Sequence, residues 1–234
     1  MINESELLYR DHAIVALNKR SGLAVHRGDA TDRVTALTEV RNFIGQWVYP
    51  IHRLDRGTSG VLLFAIDSQW AAEIQKQFND GVVLKRYVAL CRGVPTSPNF
   101  IDHAIPRAAK GPRVAAQTRL KVCEKVSGPL ERSYGWVSLE PLTGRRHQLR
   151  RHLKHISHPI VGDVKYGDGR VNRAFREGIG LRRIALHAAE LRIRHPESGA
   201  PIAIEATLPP DLTGPLAQLG VEAAVRVDSS AQGP

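Results

Sequence analysis

The amino-acid sequence predicts an α+β fold: one domain built on a mixed, mainly antiparallel sheet that is flanked by helices and loops. Many short segments alternate apolar and polar residues, three others repeat apolar residues at helical spacing, and the two kinds do not alternate regularly along the chain. The 234 residues are 42% hydrophobic and 24% charged, which is enough for one sizeable core. The chain contains no internal repeat.

The N-terminal segment predicts two strands and one helix. Residues 7–9 and 13–18 fit short strands that are joined by a turn. A helix follows, which either Thr31 or Asp32 can cap. Its apolar residues recur at helical spacing and are Val34, Leu37, Val40, Ile44 and Trp47.

A polar loop separates this helix from the next strand. Pro50 interrupts the helical pattern, and residues 51–60 are polar and glycine-containing. This loop leads into an apolar strand over 61–66. A second helix fits residues 68–79, and Gly81 provides its stop signal.

The remainder of the chain predicts mostly strands. Five are expected, over residues 86–91, 118–124, 134–140, 185–194 and 201–206. Between the third and the fourth, Gly144 opens a third helix whose Leu149, Leu153 and Ile156 face inward. The sequence from Gly214 onward is rich in small residues. We therefore expect one domain over residues 1–213 and a flexible tail over 214–234.

The charge predicts a polyanionic partner. Lys and Arg number 33 against 23 Asp and Glu, a formal net charge of +10. Residues 144–176 hold nine Lys or Arg and two Asp, so +7 of this charge lies there, interleaved with four histidines. Composition alone does not separate DNA, RNA and a membrane surface, and a solvated basic face is the simpler alternative.

The sequence also indicates a cellular context. No run of 18 apolar residues occurs, and residues 1–6 are polar and acidic, unlike a signal peptide. We therefore expect a cytoplasmic protein without a membrane partner, and a monomer, because no apolar patch is evident. Cys91 and Cys123 lie in strand segments and are expected to be reduced core thiols. Two cysteines alone do not form a zinc site.

Residues 52–60, His-Arg-Leu-Asp-Arg-Gly-Thr-Ser-Gly, are the most informative stretch. Asp55 stands between Arg53 and Arg56, whose charges favour an ionised carboxylate, and the glycines allow a ligand to approach the backbone. Such a carboxylate can act as a nucleophile or stabilise an oxocarbenium-like centre. A helix cap or a loop salt bridge is the structural alternative.

This stretch resembles the signature of the RluA-type pseudouridine synthases, in which His-Arg-Leu-Asp, two residues and then Thr-Ser-Gly surround an aspartate. Other segments resemble further motifs of that family in the same order, and the resemblance covers roughly residues 7–206. These segments are 18–26, 85–90, 142–150 and 158–163. One departure is Lys19-Arg20, where the family has Lys-Pro, which alters a turn and removes no reactive group.

The resemblance implies an RNA-modifying isomerase with a single catalytic domain and no metal or other cofactor. Asp55 would attack the ribose or stabilise its cation while the uracil detaches, turns and reattaches through carbon. Tyr87 matches the tyrosine that stacks on the target base and could remove a ribose proton; a strand tyrosine packed on the sheet is the alternative. Arg150 matches the residue that pairs with the catalytic aspartate, and otherwise would be an exposed helix arginine.

The same resemblance suggests an RNA-binding set. Arg53 matches the arginine that replaces the expelled nucleotide in the RNA stack, although a salt bridge is also possible. The residues expected to contact RNA are His52, Arg53, Arg56, Thr58, Arg145, His147, Arg151 and Lys154. A metal site at His152, His155 and His158 is not expected, because Pro159 should end the helix and no glutamate accompanies them.

The expected partner is structured RNA, most specifically tRNA. The first strand is predicted to begin by about Leu7, so we expect no separate N-terminal RNA-binding module. Residues 150–163, 165–168 and 172–173 are most similar to the family members that act on the uridine at position 65 of tRNA. Members that modify both a tRNA anticodon-stem uridine and a large-subunit rRNA uridine are the alternative.

Proteins of other classes fit less well. A non-catalytic RNA-binding protein would have no use for a carboxylate that faces a polyanion. A protein kinase is not expected, because the order at residues 52–55 is His-Arg-Leu-Asp and no glycine-rich phosphate loop precedes it. A DNA-binding regulator would need a pair of groove-reading helices, which the sequence does not predict.

Overall fold

The computed structural model describes residues 2–27, 34–96, 99–107 and 111–221, and within them a large sheet carries the helices. The strands are β1 (Leu7–Arg10), β2 (Ile14–Lys19), β3 (Tyr49–Pro50), β4 (Ser59–Ala65), β5 (Leu84–Arg92), β6 (Phe100–Asp102), β7 (Ile105–Pro106), β8 (Arg113–Val114), β9 (Gln117–Gly128), β10 (Arg132–Pro141), β11 (Leu186–Arg194) and β12 (Pro201–Glu205). The helices are α1 (Ala36–Ile44), α2 (Ser68–Asn79), α3 (Gln148–His155), α4 (Gly169–Ile179) and α5 (Pro210–Ala217).

The sheet is mixed and mainly antiparallel, which confirms the predicted α+β class. Its strand order is β1-β2-β4-β11-β5-β10-β9-β6, with β3 paired to β4 and β12 paired to β11, while β7 and β8 form a separate hairpin. Within the described residues, β4 and β11 form the sole parallel pair, which aligns Ser59 with His187. The end of the motif over residues 52–60 is therefore held inside the sheet, between β2 and β11.

The apolar segment predicted over 61–66 corresponds to β4, which is buried along its whole length. Both of its faces are covered. Val61 and Leu63 pack into a cluster that includes Ile74 of α2, whereas Leu62 and Phe64 pack into another cluster on the opposite face, under α1. A strand buried on both faces is a continuous apolar run rather than an alternating one, as this one is.

A third cluster joins β5, β9 and β10 to α3, α4 and α5. Tyr134 and Phe175 meet edge to face there, with 4.7 Å between ring centroids. Leu212, Leu216 and Val221 from the C-terminal segment are buried in the same cluster. The predicted boundary between residues 213 and 214 therefore falls inside α5, and the packed domain extends to Val221.

Two predicted helix starts are wrong. The candidate caps Thr31 and Asp32 lie outside the described residues, and α1 begins at Ala36 with Thr35 as its N-cap, so Val34 precedes the helix and is exposed. Gly45, with a positive φ of 80°, ends this helix. The third helix begins at Gln148 and not at Gly144.

Two helices were not predicted. In α4, three exposed arginines and a starting glycine hide an apolar pattern whose inward residues are Val171 and Phe175. In α5, Pro210 occupies the first turn, where proline is compatible with a helix, and Pro215 is also accommodated within this short helix. No element was predicted over residues 169–179, and residues from 214 onward were expected to be flexible, whereas packing against the sheet stabilises a helix at both places.

Three observations bear on the predictions about membrane segments and cysteines. Within the described ranges, no helix is long and apolar enough to cross a membrane. Cys91 and Cys123 are both free thiols. Cys91 is buried as expected, but Cys123 lies on the exposed side of β9, so it is not a core residue.

Candidate active site

A cleft of about 510 Å³ opens between the loop that precedes β4 and the segment that joins β10 to α3. Tyr87 and Lys85 of β5 form one wall, and Phe78 at the end of α2 forms another. The catalytic-motif residues in its lining are His52, Arg53, Asp55, Thr58, Arg145, His147 and Arg150. Residues from three motifs distant in sequence thus share one cavity.

Lys19 supports the loop that carries Asp55. The buried Nζ of Lys19 donates to the carbonyls of Leu23 at 2.8 Å, Arg20 at 3.0 Å and Arg56 at 3.3 Å. Burial, and next the charge of Arg183, lowers the pKa of Lys19 to about 7. The first motif therefore supports the loop through backbone contacts.

Arg150 links two carboxylates. Its Nη1 donates to Asp55 Oδ2 at 2.8 Å, while its Nε and Nη2 donate to the two oxygens of Asp163 at 2.7 and 2.8 Å. The Asp163 side chain is fully buried and also accepts from the backbone N–H groups of Lys165 and Tyr166. The Asp55 side chain keeps 20% of its surface exposed, on the cleft.

These contacts fix the charge states around the cleft. Burial opposes the charge of Arg150, but its hydrogen bonds to Asp163 and Asp55 outweigh that and raise its pKa. Burial likewise opposes ionisation of Asp163, and the bonds from Arg150 and from backbone N–H groups lower its pKa. Burial lowers the pKa of His147 to about 4, although its Nε2 lies 3.6 Å from Asp55 Oδ1. His147 is therefore neutral at neutral pH.

Tyr87 presents a protonated phenol to the cleft. Burial, and then the neighbouring charge of Asp55, raises the pKa of its hydroxyl. Its ring is partly buried and packs against two of the core clusters. Among the described residues, no group forms a hydrogen bond with this hydroxyl, so it can bond to a ligand.

Four of the residues predicted to bind RNA precede β4, and three of them line the cleft. Thr58 is buried, and its N–H donates to the Asp55 carbonyl at 3.0 Å. His52 accepts from the N–H of Leu63 at 3.2 Å and stacks on Phe78, and burial lowers its pKa to about 4. Its ring therefore supports the loop as a neutral group. Arg53 is exposed at the cleft.

The predicted residues around α3 have separate surroundings. Arg145 lines the cleft, and its Nε donates to the carbonyl of Ala115 at 3.1 Å. His147 Nδ1 and Arg151 Nε each lie 3.0 Å from the hydroxyl of Tyr166. Arg151 also donates to the carbonyl of Pro106 at 2.8 Å, which ties α3 to β7.

Arg56 and Lys154, the remaining predicted RNA contacts, are exposed but do not line the cleft. Four site residues were not predicted: Lys19, Lys85, Asp163 and Tyr166. Tyr166 carries the Arg150 guanidinium over its ring at 5.1 Å. The motif segments contained Lys19, Lys85 and Asp163, and Tyr166 follows the last of them, but the residue types alone did not indicate which contacts they make.

The histidines of α3 and its C-terminal turn contact different groups. The buried His152 has its ring nitrogens 2.9 Å from Thr118 Oγ1 and 3.0 Å from the carbonyl oxygen of His103. His155 stacks on His103, and His158 Nδ1 lies 2.9 Å from the Arg92 carbonyl. Within the part of the chain that the structure describes, no cluster of three potential metal ligands occurs.

Comparison with known families identifies this arrangement. Residues 13–155 match the family model described as RNA pseudouridylate synthase. The chain belongs to the RNA pseudouridylate synthase family. The resemblance predicted from the motifs is thus confirmed, and with it the class of activity, isomerisation of uridine in RNA.

Named relatives of this synthase extend the match along almost the whole chain. A protein named tRNA pseudouridine synthase C from Vibrio cholerae is 38% identical over 96% of this chain and 99% of its own length. Proteins of the same name from Haemophilus ducreyi and Salmonella typhimurium are 41% and 40% identical, over 88% and 92% of this chain and 91% and 90% of their own lengths.

Solved structures agree with the fold of the synthase. Human RNA Pseudouridylate Synthase Domain Containing 4 superposes with a TM-score of 0.74 at 28% identity, covering 93% of this chain and 94% of that one. Human RNA Pseudouridylate Synthase Domain Containing 1 gives a TM-score of 0.71, also at 28% identity, over 91% and 89%.

Proposed function

We propose that this synthase converts one uridine of tRNA, the uridine at position 65, to pseudouridine. The relatives named tRNA pseudouridine synthase C support tRNA as the substrate, at 38–41% identity. The segment from Arg150 to Arg173 supports the position, through its similarity to the members that act there. Such an enzyme works in the cytoplasm.

The observation that carries the proposal is the ion pair between Asp55 and Arg150 at the cleft. Cleavage of the C–N glycosidic bond builds positive charge on the anomeric carbon, which a nearby carboxylate can stabilise or trap covalently. In the proposed reaction Asp55 has this role. Arg150 holds the carboxylate in place from one side, and Asp163 in turn fixes the guanidinium.

Tyr87 acts in the proposal as a neutral phenol. Because its pKa is raised, the hydroxyl keeps its proton. In this form Tyr87 can stack on the uracil and donate a hydrogen bond, but it is poorly suited to remove a ribose proton. The hydroxyl is available for this, because no described residue forms a hydrogen bond with it. A base role would first require transfer of the phenol proton to another group.

Access to the target requires the uridine to leave its stack, because the glycosidic carbon is unreachable inside a stem. The cleft volume of about 510 Å³ lies within the range of roughly 300–1,000 Å³ typical of pockets for small ligands. Arg53 is exposed at this cleft, and its planar guanidinium can occupy the gap left in the RNA. The chemistry needs no metal or other cofactor, and we propose that the enzyme acts as a monomer.

The test is pseudouridine mapping of total RNA from cells that lack the protein, alone and resupplied with wild type or Asp55→Asn. We expect one tRNA stem pseudouridine to disappear and wild type alone to restore it. Loss of an anticodon-stem site together with an rRNA site would instead support dual specificity. An unchanged map, in a strain shown to have no second enzyme for the site, would support a non-catalytic RNA-binding protein.

The Asp55→Asn protein should lose at least about 10³-fold in turnover, because the amide cannot supply the negative charge that the reaction needs. Its affinity for tRNA should stay within about threefold of wild type, since binding rests on arginines. Single-turnover assays and filter binding measure the two quantities. Near-wild-type turnover would remove Asp55 from the catalytic role.

A further inference from the structure

Helix α4 presents a row of arginines to solvent. Its inward face consists of Val171, Asn172 and Phe175, which are buried. Arg170, Arg173 and Arg176 recur every three residues on the opposite side, and all three are exposed. This arginine row spans about 9 Å along the helix axis, at 1.5 Å per residue.

The three arginines of the row have no acidic partner, unlike several other arginines of the chain. Arg92, Arg150 and Arg183 each donate to a carboxylate at 2.7–2.9 Å. Among the described residues, no carboxylate lies within ion-pair distance of the three side chains in the row. Glu177 lies on the same face without pairing with them. The row therefore offers unneutralised guanidinium groups.

Hydrogen bonds connect α4 to the segment that holds Arg150. Asn172 accepts from the N–H of Gly162 at 2.7 Å and donates to the carbonyl of Asp163 at 2.9 Å. Asp163 also holds Arg150 through its carboxylate. Asp168 caps the helix and pairs with Arg92 at 2.8 Å. These contacts connect α4 to the residues that position Asp55.

The start of α4 lies near the cleft. Tyr166, four residues before Arg170, contacts His147 and supports Arg150 at the cleft wall. The arginine row therefore runs outward from a point close to the site where the target nucleotide would bind. Guanidinium groups recognise phosphates through paired hydrogen bonds, and a helix can present several of them to one strand.

We propose that the arginine row of α4 binds the phosphate backbone of the substrate RNA outside the cleft, along the stem next to the target uridine. This inference rests on the proposed function and extends it, because it assigns a second contact surface beyond the residues of the motifs. The row contributes affinity and alignment and takes no part in the chemistry.

The test compares the Arg170→Gln/Arg173→Gln/Arg176→Gln variant with wild type on two substrates. One is a full tRNA transcript, and the other is a short stem-loop with the same target uridine that ends before it would reach α4. For tRNA, we expect KM to rise at least tenfold and the slope of log KM against log salt to fall by about 2 to 3. For the stem-loop, the rise in KM should be less than twofold.

Two matched variants sharpen the comparison. Glu177→Gln removes the single acid on the same face and should lower KM for tRNA. Arg10→Gln/Lys121→Gln/Lys125→Gln removes three exposed charges from β1 and β9 and should change KM less than twofold. Thermal melting checks that all variants are folded.

The outcomes separate the two proposals. An unchanged KM and salt slope in the α4 variant, or an equal loss in the strand variant, would overturn the role of the arginine row. Failure of wild type to modify any tRNA would count against the proposed function. In that event, the salt slope of equilibrium tRNA binding still decides whether the arginine row contacts RNA, with the same expected difference between the variants.

Discussion

At the scale of single residues, one partly exposed and one buried carboxylate bind the same guanidinium at the cleft. Arg150 uses one nitrogen for Asp55 and two for Asp163. The buried contact is the better constrained, because Asp163 also accepts two backbone N–H groups. Asp163 therefore determines where Arg150 lies, and Arg150 determines where Asp55 lies.

We predict that Asp163→Asn lowers turnover about 10²-fold and destabilises the fold by about 3–5 kcal/mol, because it removes one partner of a buried ion pair. Turnover is measured in single-turnover assays and stability by urea unfolding. Arg150→Lys is the matched variant, since a lysine keeps the charge but cannot bridge both carboxylates. Wild-type turnover in Asp163→Asn would show that Asp55 needs no such support.

For Tyr87, the phenol role predicts that Tyr87→Phe lowers the chemical rate about 10²-fold and leaves tRNA affinity within about twofold. The phenylalanine ring still stacks, whereas the hydrogen bond is lost. Tyr87→Ala should lower both quantities. Rates from rapid quenching and affinities from filter binding distinguish the two losses, and equal rates for Phe and wild type would contradict a role for the hydroxyl.

The sequence predicted part of the cleft lining but not what each residue contacts. Asp55, Tyr87 and Arg150 come together as the motif order suggested. His52 was predicted to contact RNA, yet its ring nitrogen bonds to the N–H of Leu63, a contact created by the fold of the loop. The bidentate partner of Arg150 could not be identified from spacing, because many carboxylates stand at similar separations.

At the scale of elements, the close approach of β4 and β11 requires glycine at one position. Gly60 on β4 pairs with Ala188 on β11 and has a φ of 110°. A Cβ atom at Gly60 would lie 2.1 Å from the carbonyl oxygen of Ala188. Only glycine allows this parallel pairing, which holds the catalytic loop beside β11.

Gly60→Ala should therefore destabilise the protein by at least about 3 kcal/mol, through both strain and collision. Gly22→Ala is the matched control, because Gly22 also has a positive φ, of 84°, but nothing lies within 4 Å of the added atom. We expect that variant to lose about 1 kcal/mol. Urea unfolding measures both values, and equal losses would show that backbone strain alone explains the effect.

Helices were predicted less well than the longer strands, and the short strands β3, β6, β7 and β8 were not predicted. The segments that became β5, β9, β10, β11 and β12 were each located within a few residues, because alternation is a local signal. The helices α4 and α5 were missed, since arginines, glycine and proline obscured their few inward residues. Their stability comes from burial against the sheet, which local sequence does not report.

At the scale of the whole molecule, buried histidines link stability to pH. Burial lowers the pKa of His52 and of His187 to about 4, whereas an unfolded histidine titrates near about 6.5. His187 lies 2.8 Å from Ser59 Oγ and 3.0 Å from the carbonyl oxygen of Ala206. A second proton on its ring would disrupt this arrangement.

Between pH 6.5 and pH 4 the unfolded chain thus binds protons that the folded chain does not, so the free energy of unfolding should fall as the pH falls. Each histidine contributes a slope of up to about 1.4 kcal/mol per pH unit. Urea unfolding at a series of pH values measures it. His187→Gln should have a shallower slope, and an identical slope would exclude His187 as a source.

The overall class followed from local patterns, but the strand order did not. Alternating segments predicted a mainly antiparallel sheet, and the sheet is of that kind. The position of β4 between β2 and β11 depends on contacts between residues far apart in the chain. No periodicity within a window of ten or so residues carries that information.

The pairing of β4 with β11 also affects when the sheet can be completed during translation. Ser59 and His187 are 128 residues apart, so the start of β4, at Ser59 and Gly60, has no neighbour on one edge while the ribosome adds the intervening chain, although β3 pairs with the far end of that edge. At roughly 5–20 residues per second, that interval lasts on the order of ten seconds. During it, the start of β4 presents unpaired backbone N–H and C=O groups that can pair with other strands, and the completed cleft forms only near the end of translation.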